Sequence, residues 1–239
     1  MIGFLLLGFL IGMSHALEAD HLAAIGTMMT DTKKSKRSLA FRGAVWGLGH
    51  TITLFAICTS VILLGLKLTE RMSAALEFGV GVMLIVLGVD VFRRFRKKKL
   101  HFHGHQHEDG AKHMHVHSHA DSKETHNLDP HVHDHPEGFP VKALFIGLIH
   151  GAAGSAGLLA LAVAATQNVS TAVFYVLSFG LGSILGMAAL TYVVAWPLKW
   201  VDKGMGWMHA GLNTAAAGLA IAMGTYILVE TGPLAWGVV

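Results

Sequence analysis

The chain has 239 residues, of which 53% are hydrophobic and only 14% charged, with a mean hydropathy of +0.53. Soluble domains carry about 25% charged residues, so the composition excludes an ordinary soluble protein and indicates an integral membrane one. The net charge of +3 makes no case for nucleic acid as a partner, because the basic residues sit in connections beside apolar runs, where they report topology. The single cysteine, Cys58, excludes an internal disulfide and falls within an apolar run, as a packing residue would.

Apolar runs of about 20 residues match a hydrocarbon core about 30 Å thick. They predict six transmembrane helices, at 2–29, 39–66, 73–92, 141–166, 171–196 and 209–230. The first could be taken for a signal peptide, but it lacks a basic leading region and has His15 to His21 where a cleavage site would stand, so it reads as a helix. It carries the densest polar group of any span: His15, Glu18, Asp20 and His21 between two apolar stretches. Ionisable groups cost roughly 2.5–3.5 kcal/mol each at the centre of a membrane helix, so they persist there mainly for function. Imidazole with carboxylate is also a good ligand set for a divalent transition metal.

On a regular helix of about 100° per residue, His15, Glu18 and His21 share one face and Asp20 falls well off it. Either the helix breaks near Gly12 to His15, or Asp20 acts on a neighbouring helix or on a ligating imidazole. A bland alternative pairs Glu18 or Asp20 with a basic residue such as Arg42. The second helix adds His50 in Gly47-Leu48-Gly49-His50-Thr51, with small residues that let backbones approach. The third ends in a basic run, Arg93, Arg94 and Arg96 to Lys99, and Asp90 before it reads as an interfacial ion-pair partner.

Residues 93–140 form a long connection, and twelve of the seventeen histidines lie in it between His101 and His135, often in alternation. Alternation suits a strand, but Gly104, Gly110, Pro130 and Pro136 with low hydrophobicity predict disorder. Neutral imidazoles at this density bind metal ions, so the loop reads as a metal-collecting or metal-sensing tether. The fourth helix brings His150 in His150-Gly151-Ala152-Ala153-Gly154-Ser155.

Basic residues gather in the first, third and fifth connections, which predicts a plasma-membrane protein with both termini outside and the 93–140 loop in the cytoplasm. The halves 1–92 and 141–239 also look related. His15 aligns with His150 and Asp20 with Ser155 at an offset of 135. Trp46-Gly47-Leu48-Gly49-His50 aligns with Phe179-Gly180-Leu181-Gly182-Ser183 at 133, and Gly79 with Gly211 at 132. Two three-helix units in one chain must be inverted relative to each other, the architecture of many secondary transporters with a midplane site. The fold class expected is therefore all-α, six transmembrane helices as two inverted repeats with a disordered His-rich loop.

Together, the His15-x4-Asp20-His21 spacing, Gly49-His50-Thr51 and the His150 to Ser155 segment resemble the nickel/cobalt transporter superfamily. They are most similar to its short branch of UreH-like or NicO-type membrane proteins linked to urease and nickel metabolism. The resemblance implies that His15, Asp20 and His21 are central to metal selection, with His50 and His150 close to the same path. The longer nickel permeases typically have eight spans, against the six expected here. The function expected is secondary transport of a divalent transition-metal ion, Ni2+ first and then Co2+, with Zn2+ or Fe2+ compatible with the same ligands. Glu18 and Ser155 complete the candidate metal set. No nucleotide-binding motif is present, and the ion is substrate rather than cofactor, so no enzyme activity and no resident cofactor are expected. Partners expected are membrane lipid and a cytoplasmic metallochaperone. Metal efflux, or storage supplying urease assembly, are the alternatives.

Overall fold

The structure, a computed structural model, describes residues 2–28, 35–64, 68–97, 101–106, 112–117, 139–153, 168–201 and 206–237. Its helices are α1 (Ile2–His15), α2 (Ala19–Met28), α3 (Lys36–Leu64), α4 (Glu70–Lys97), α5 (Val141–His150), α6 (Val169–Val201) and α7 (Gly206–Trp236). Each of α3, α4, α6 and α7 is long and apolar enough to cross a membrane, and α1 with α2 makes a fifth span if the bent pair is one. Of the expected span at 141–166, the structure describes α5, a 10-residue apolar helix, and the turn after it.

The expected helix at 2–29 is two helices, bent by 55°. At the junction the helical ladder tightens: Leu17 N–H donates to the Ser14 carbonyl at 2.9 Å and Glu18 N–H to the His15 carbonyl at 3.1 Å. The Ser14 hydroxyl donates to the Ile11 carbonyl at 2.9 Å, one turn back in α1. Leu22 N–H then donates to the Glu18 carbonyl at 3.0 Å and α2 begins. Other helices run several residues past the expected ends, as α4 does to Lys97.

Small residues set the packing. A Cβ on Gly12 of α1 would overlap the Phe179 carbonyl and crowd Ser183 N of α6. On Gly147 of α5 it would overlap the Trp46 carbonyl and crowd His50 N of α3. Helix α3 also lies against α6, and α4 against α7 through Gly81 and Gly224. Large apolar side chains such as Leu6, Leu10, Phe145 and Leu181 point outward, as they do towards lipid. Cys58 is buried among Leu54, Tyr175, Val176 and Phe179, in the packing role expected of it.

The connection departs from expectation where it is described. Instead of disorder, β1 (His101–Gln106) and β2 (Lys112–His117) pair antiparallel, with His101 opposite His117, His103 opposite His115 and His105 opposite His113. Glycine and proline argued for disorder, but the alternating His-x-His period is also the two-residue period of a pleated strand. The backbone groups of the two stretches satisfy one another across the pair.

Candidate metal centre

The break after α1 turns His15 and His21 towards each other. Their rings are 4.6 Å apart, and His50 from α3 joins them at 5.1 Å from His15 and 5.3 Å from His21. His150, the last residue of α5, lies 4.2 Å from His21. All four imidazoles are buried. Trp46, one turn before His50, walls the group at 5.3 Å from His21 and 5.7 Å from His150, and Phe179 of α6 closes it at 5.4 Å from His15.

Asp20 stands at the centre of the polar contacts. Its Oδ1 accepts from the His21 backbone N–H at 2.8 Å and from His21 Nδ1 at 2.9 Å. Its Oδ2 accepts from His150 Nε2 at 2.9 Å, across from the other half of the chain. A carboxylate only accepts, so these bonds place the ring protons on His21 Nδ1 and His150 Nε2. They leave lone pairs on His21 Nε2 and His150 Nδ1. Glu18 does the same for His15, accepting from Nδ1 at 2.6 Å and freeing Nε2. His15 Nε2, His21 Nε2, both ring nitrogens of His50 and His150 Nδ1 are buried and have no hydrogen-bond partner. A buried polar atom without a partner costs about 1–3 kcal/mol, so five in one place point to an occupant.

Two groups have ligand geometry: His15, His21 and His50, and Asp20, His21 and His150, each with one ligand atom per residue within 4.8 Å of the others. The structure thus brings five of the sequence candidates together. Glu18 lies at the rim, 56% exposed, and belongs to neither group, because the turn that opens the helix carries it outward onto His15 Nδ1. Ser155 lies outside the described residues. The pairing of Glu18 or Asp20 with Arg42 gives way to these contacts with histidine. Sequence reasoning used Trp46 only as a marker of the repeat. Its place one helical turn from His50 was the available signal that it shares that residue's surroundings.

Over residues 1–231 the chain matches the NicO family, described as high-affinity nickel-transport protein. The chain belongs to the NicO family. It is 35% identical over 203 residues to the urease accessory protein UreH of Bacillus sp. (strain TB-90), covering 82% of this chain and 78% of the relative. No solved structure matches it. Membership makes the protein a multi-pass membrane transporter of nickel or cobalt ions and not an enzyme, and agrees with the resemblance read from the His15 to His21 spacing.

Proposed function

We propose that the histidine group is the transport site, and that Ni2+ is its principal substrate, with Co2+ next. The observation that carries this is the cluster of buried, unpartnered imidazole nitrogens around the break between α1 and α2. A doubly charged ion cannot enter hydrocarbon bare, and His15, His21 and His50 would replace its water. That set is neutral. Asp20 adds the compensating negative charge in the second group, and His21 belongs to both. An ion would therefore pass from three imidazoles to the Asp20–His21–His150 group by keeping one ligand and exchanging two.

The reading includes an inverted repeat of the units 1–92 and 141–239, with the site at their interface. What supports it is reciprocal packing, at an offset of 135 between α1 and α5 and of 133 between α3 and α6. Gly12 packs on Phe179 and Ser183 while Gly147 packs on Trp46 and His50. Gly182 packs on Phe9 and Met13 while Gly49 packs on Leu144 and Leu148. Helices α1 and α5 also end at His15 and His150, the aligned positions. On the charge pattern both termini lie outside and the 93–140 connection is cytoplasmic. The membrane potential then favours inward movement of a divalent cation by about 4.6 kcal/mol per 100 mV, twice the single-charge value, enough to drive uptake. The relative's name, urease accessory protein, favours delivery of the ion to a cytoplasmic metallochaperone serving urease assembly.

Radioactive nickel uptake into proteoliposomes tests the site. Wild-type protein should accumulate nickel, His15→Ala, His21→Ala and Asp20→Ala should not, and a panel of competing metals should rank nickel first. Wild-type uptake by these variants would sink the proposal. Loss of binding on deleting the His-rich connection, with the span variants unchanged, would favour storage instead.

A further inference from the structure

Two buried aromatic rings bound the histidine group, and the way α3 and α6 pack sets them at different depths. The Thr51 hydroxyl donates to the Gly180 carbonyl at 3.1 Å, while a Cβ on Gly43 would overlap Thr191 and crowd the Met187 carbonyl. Contacts that step back along α3 as they step forward along α6 mean that the two helices run antiparallel. Phe179, the neighbour of Gly180, is therefore level with Thr51, and Trp46 lies five residues back, about 7.5 Å along the axis. His50 falls between the two levels. The Trp46 ring stands against His21 and His150, and the Phe179 ring against His15. Each ring also borders something beyond the histidines. Trp46 shares with Met28, Leu39, Gly43 and Thr191 a cavity of about 10 Å³, room for about one water molecule, and none of the four histidines lines it. Phe179 packs with Leu54, Cys58, Tyr175 and Val176, towards the other end of α3.

Neither ring can ligate a metal ion. An indole nitrogen only donates, and a phenyl group has no polar atom. What the rings supply is obstruction, on opposite sides of the ligands. We propose that Trp46 and Phe179 are the two gates of the metal path, each sealing the histidine group from one side, and that both are closed in this structure. The proposal rests on the reading of the histidine group as the transport site. On the charge pattern Trp46, near the Lys36 end of α3, is the cytoplasmic gate and Phe179 the outer one. The two occupy aligned positions of the two units, and inversion of one unit relative to the other places such a pair on opposite sides of a midplane site. The gates differ in how readily they move. Trp46 Nε1–H is buried without a hydrogen-bond partner, and a swing of the ring towards water relieves that cost. Phe179 leaves nothing unpaired when it is shut. A gate of this kind changes the barrier to entry and exit and leaves the bound and free ion unchanged, so it acts on rates and not on affinity.

The experiment loads the full chain with radioactive nickel and follows its binding and its release to excess chelator. Only nickel whose binding is lost in His15→Ala is counted, which removes any held by the His-rich connection. Trp46→Ala and Phe179→Ala should each release nickel about tenfold faster and bind it faster by the same factor, so that equilibrium affinity stays within about threefold of wild type. Trp46→Phe, which keeps a ring, should release at close to the wild-type rate. Trp46→Leu and Phe179→Leu should fall between, and they carry the test if an alanine variant does not fold. In oriented vesicles with an impermeant chelator on one side, the Trp46 variants should speed release to the cytoplasmic side and the Phe179 variants to the outer side. Unchanged rates, faster release matched by an equal loss of affinity, or faster release to the same side in both sets overturn the gates. If His15→Ala binds nickel as wild type does, it is the transport-site reading that fails, so the two fail separately.

Discussion

The segment that ends at His15 and the segment that ends at His150 share their backbone surroundings and differ in their chemistry. In each, a helix stops at a histidine, and a glycine three residues earlier rests on a carbonyl of a long helix, Phe179 on α6 for Gly12 and Trp46 on α3 for Gly147. The facing positions then diverge. Beside Gly147 stands His50, with two free ring nitrogens, whereas beside Gly12 stands Ser183, whose hydroxyl donates to the Gly12 carbonyl at 3.2 Å. After His15 the chain turns and supplies Asp20 and His21; the turn after His150 contains Gly151, Ala152 and Ala153. The packing is duplicated, and the ligands are concentrated on one side of it. A close helix contact tolerates little change, while a side chain projecting into a shared space can be exchanged without moving a backbone.

The sharpest break in that comparison is Asp20, among the described residues the one carboxylate that reaches histidines of both segments. Asp20→Asn keeps its shape and loses its charge, and its amide can accept from only one of the two imidazoles through oxygen. Nickel uptake should fall about 100-fold, the upper range for losing a group that orients ligating histidines. Uptake within twofold of wild type would separate Asp20 from the ion's path. Next comes the pair His50 and Ser183. His50→Ser gives α3 the residue that α6 carries at the facing position and should lower uptake about tenfold. Ser183→Ala removes a hydroxyl that bonds only backbone and should change uptake less than twofold. Equal effects from the two would mean that the two sides contribute alike.

Gly12→Ala and Gly147→Ala probe the shared scaffold instead. Each places a methyl group against a carbonyl with no room for it, and overpacking of this kind costs about 1–3 kcal/mol. The apparent thermal midpoints of both variants should fall, and by similar amounts, while Gly3→Ala and Gly79→Ala, with nothing within 4 Å, should leave it unchanged. A large fall in one of the first pair alone would break the equivalence of the two segments.

Much of this was open to reading in the chain. Long apolar runs locate α3, α4, α6 and α7 because a membrane helix must satisfy its backbone internally over the whole apolar thickness. The His15 to His21 spacing predicted that a smooth helix could not present all its polar groups to one ion, and the 55° bend is how the chain resolves that conflict. His50 and His150 were visible as histidines beside small residues, but their convergence on Asp20 depends on how α3 and α5 cross, which a single sequence does not encode locally. Trp46 and Phe179 escaped for the same reason: an aromatic residue in an apolar helix carries no mark of what it faces. In the connection, the strand period of His101 to Gln106 was outweighed by glycine and proline counted over the whole segment, although pairing needs only two short stretches in register.

Glu18 carries a small expected effect and the most discriminating one. By sequence it shares a helical face with His15 and His21 and belongs among the ligands; in the structure it lies outside both ligand groups and is mostly exposed. What it retains is the bond to His15 Nδ1, which leaves His15 Nε2 directed inward without a partner. The carboxylate that accepts this bond is mostly exposed, and an amide oxygen can still accept the same proton. Glu18→Gln should therefore lower nickel uptake by less than about threefold and leave the order of competing metals unchanged. Glu18→Ala, with no acceptor, should do more, because His15 is then free to turn its protonated nitrogen inward. A loss with Glu18→Gln as deep as that with Asp20→Asn would return Glu18 to the ligand set. The site would then rest on the first segment alone, and the comparison with the second would no longer explain it.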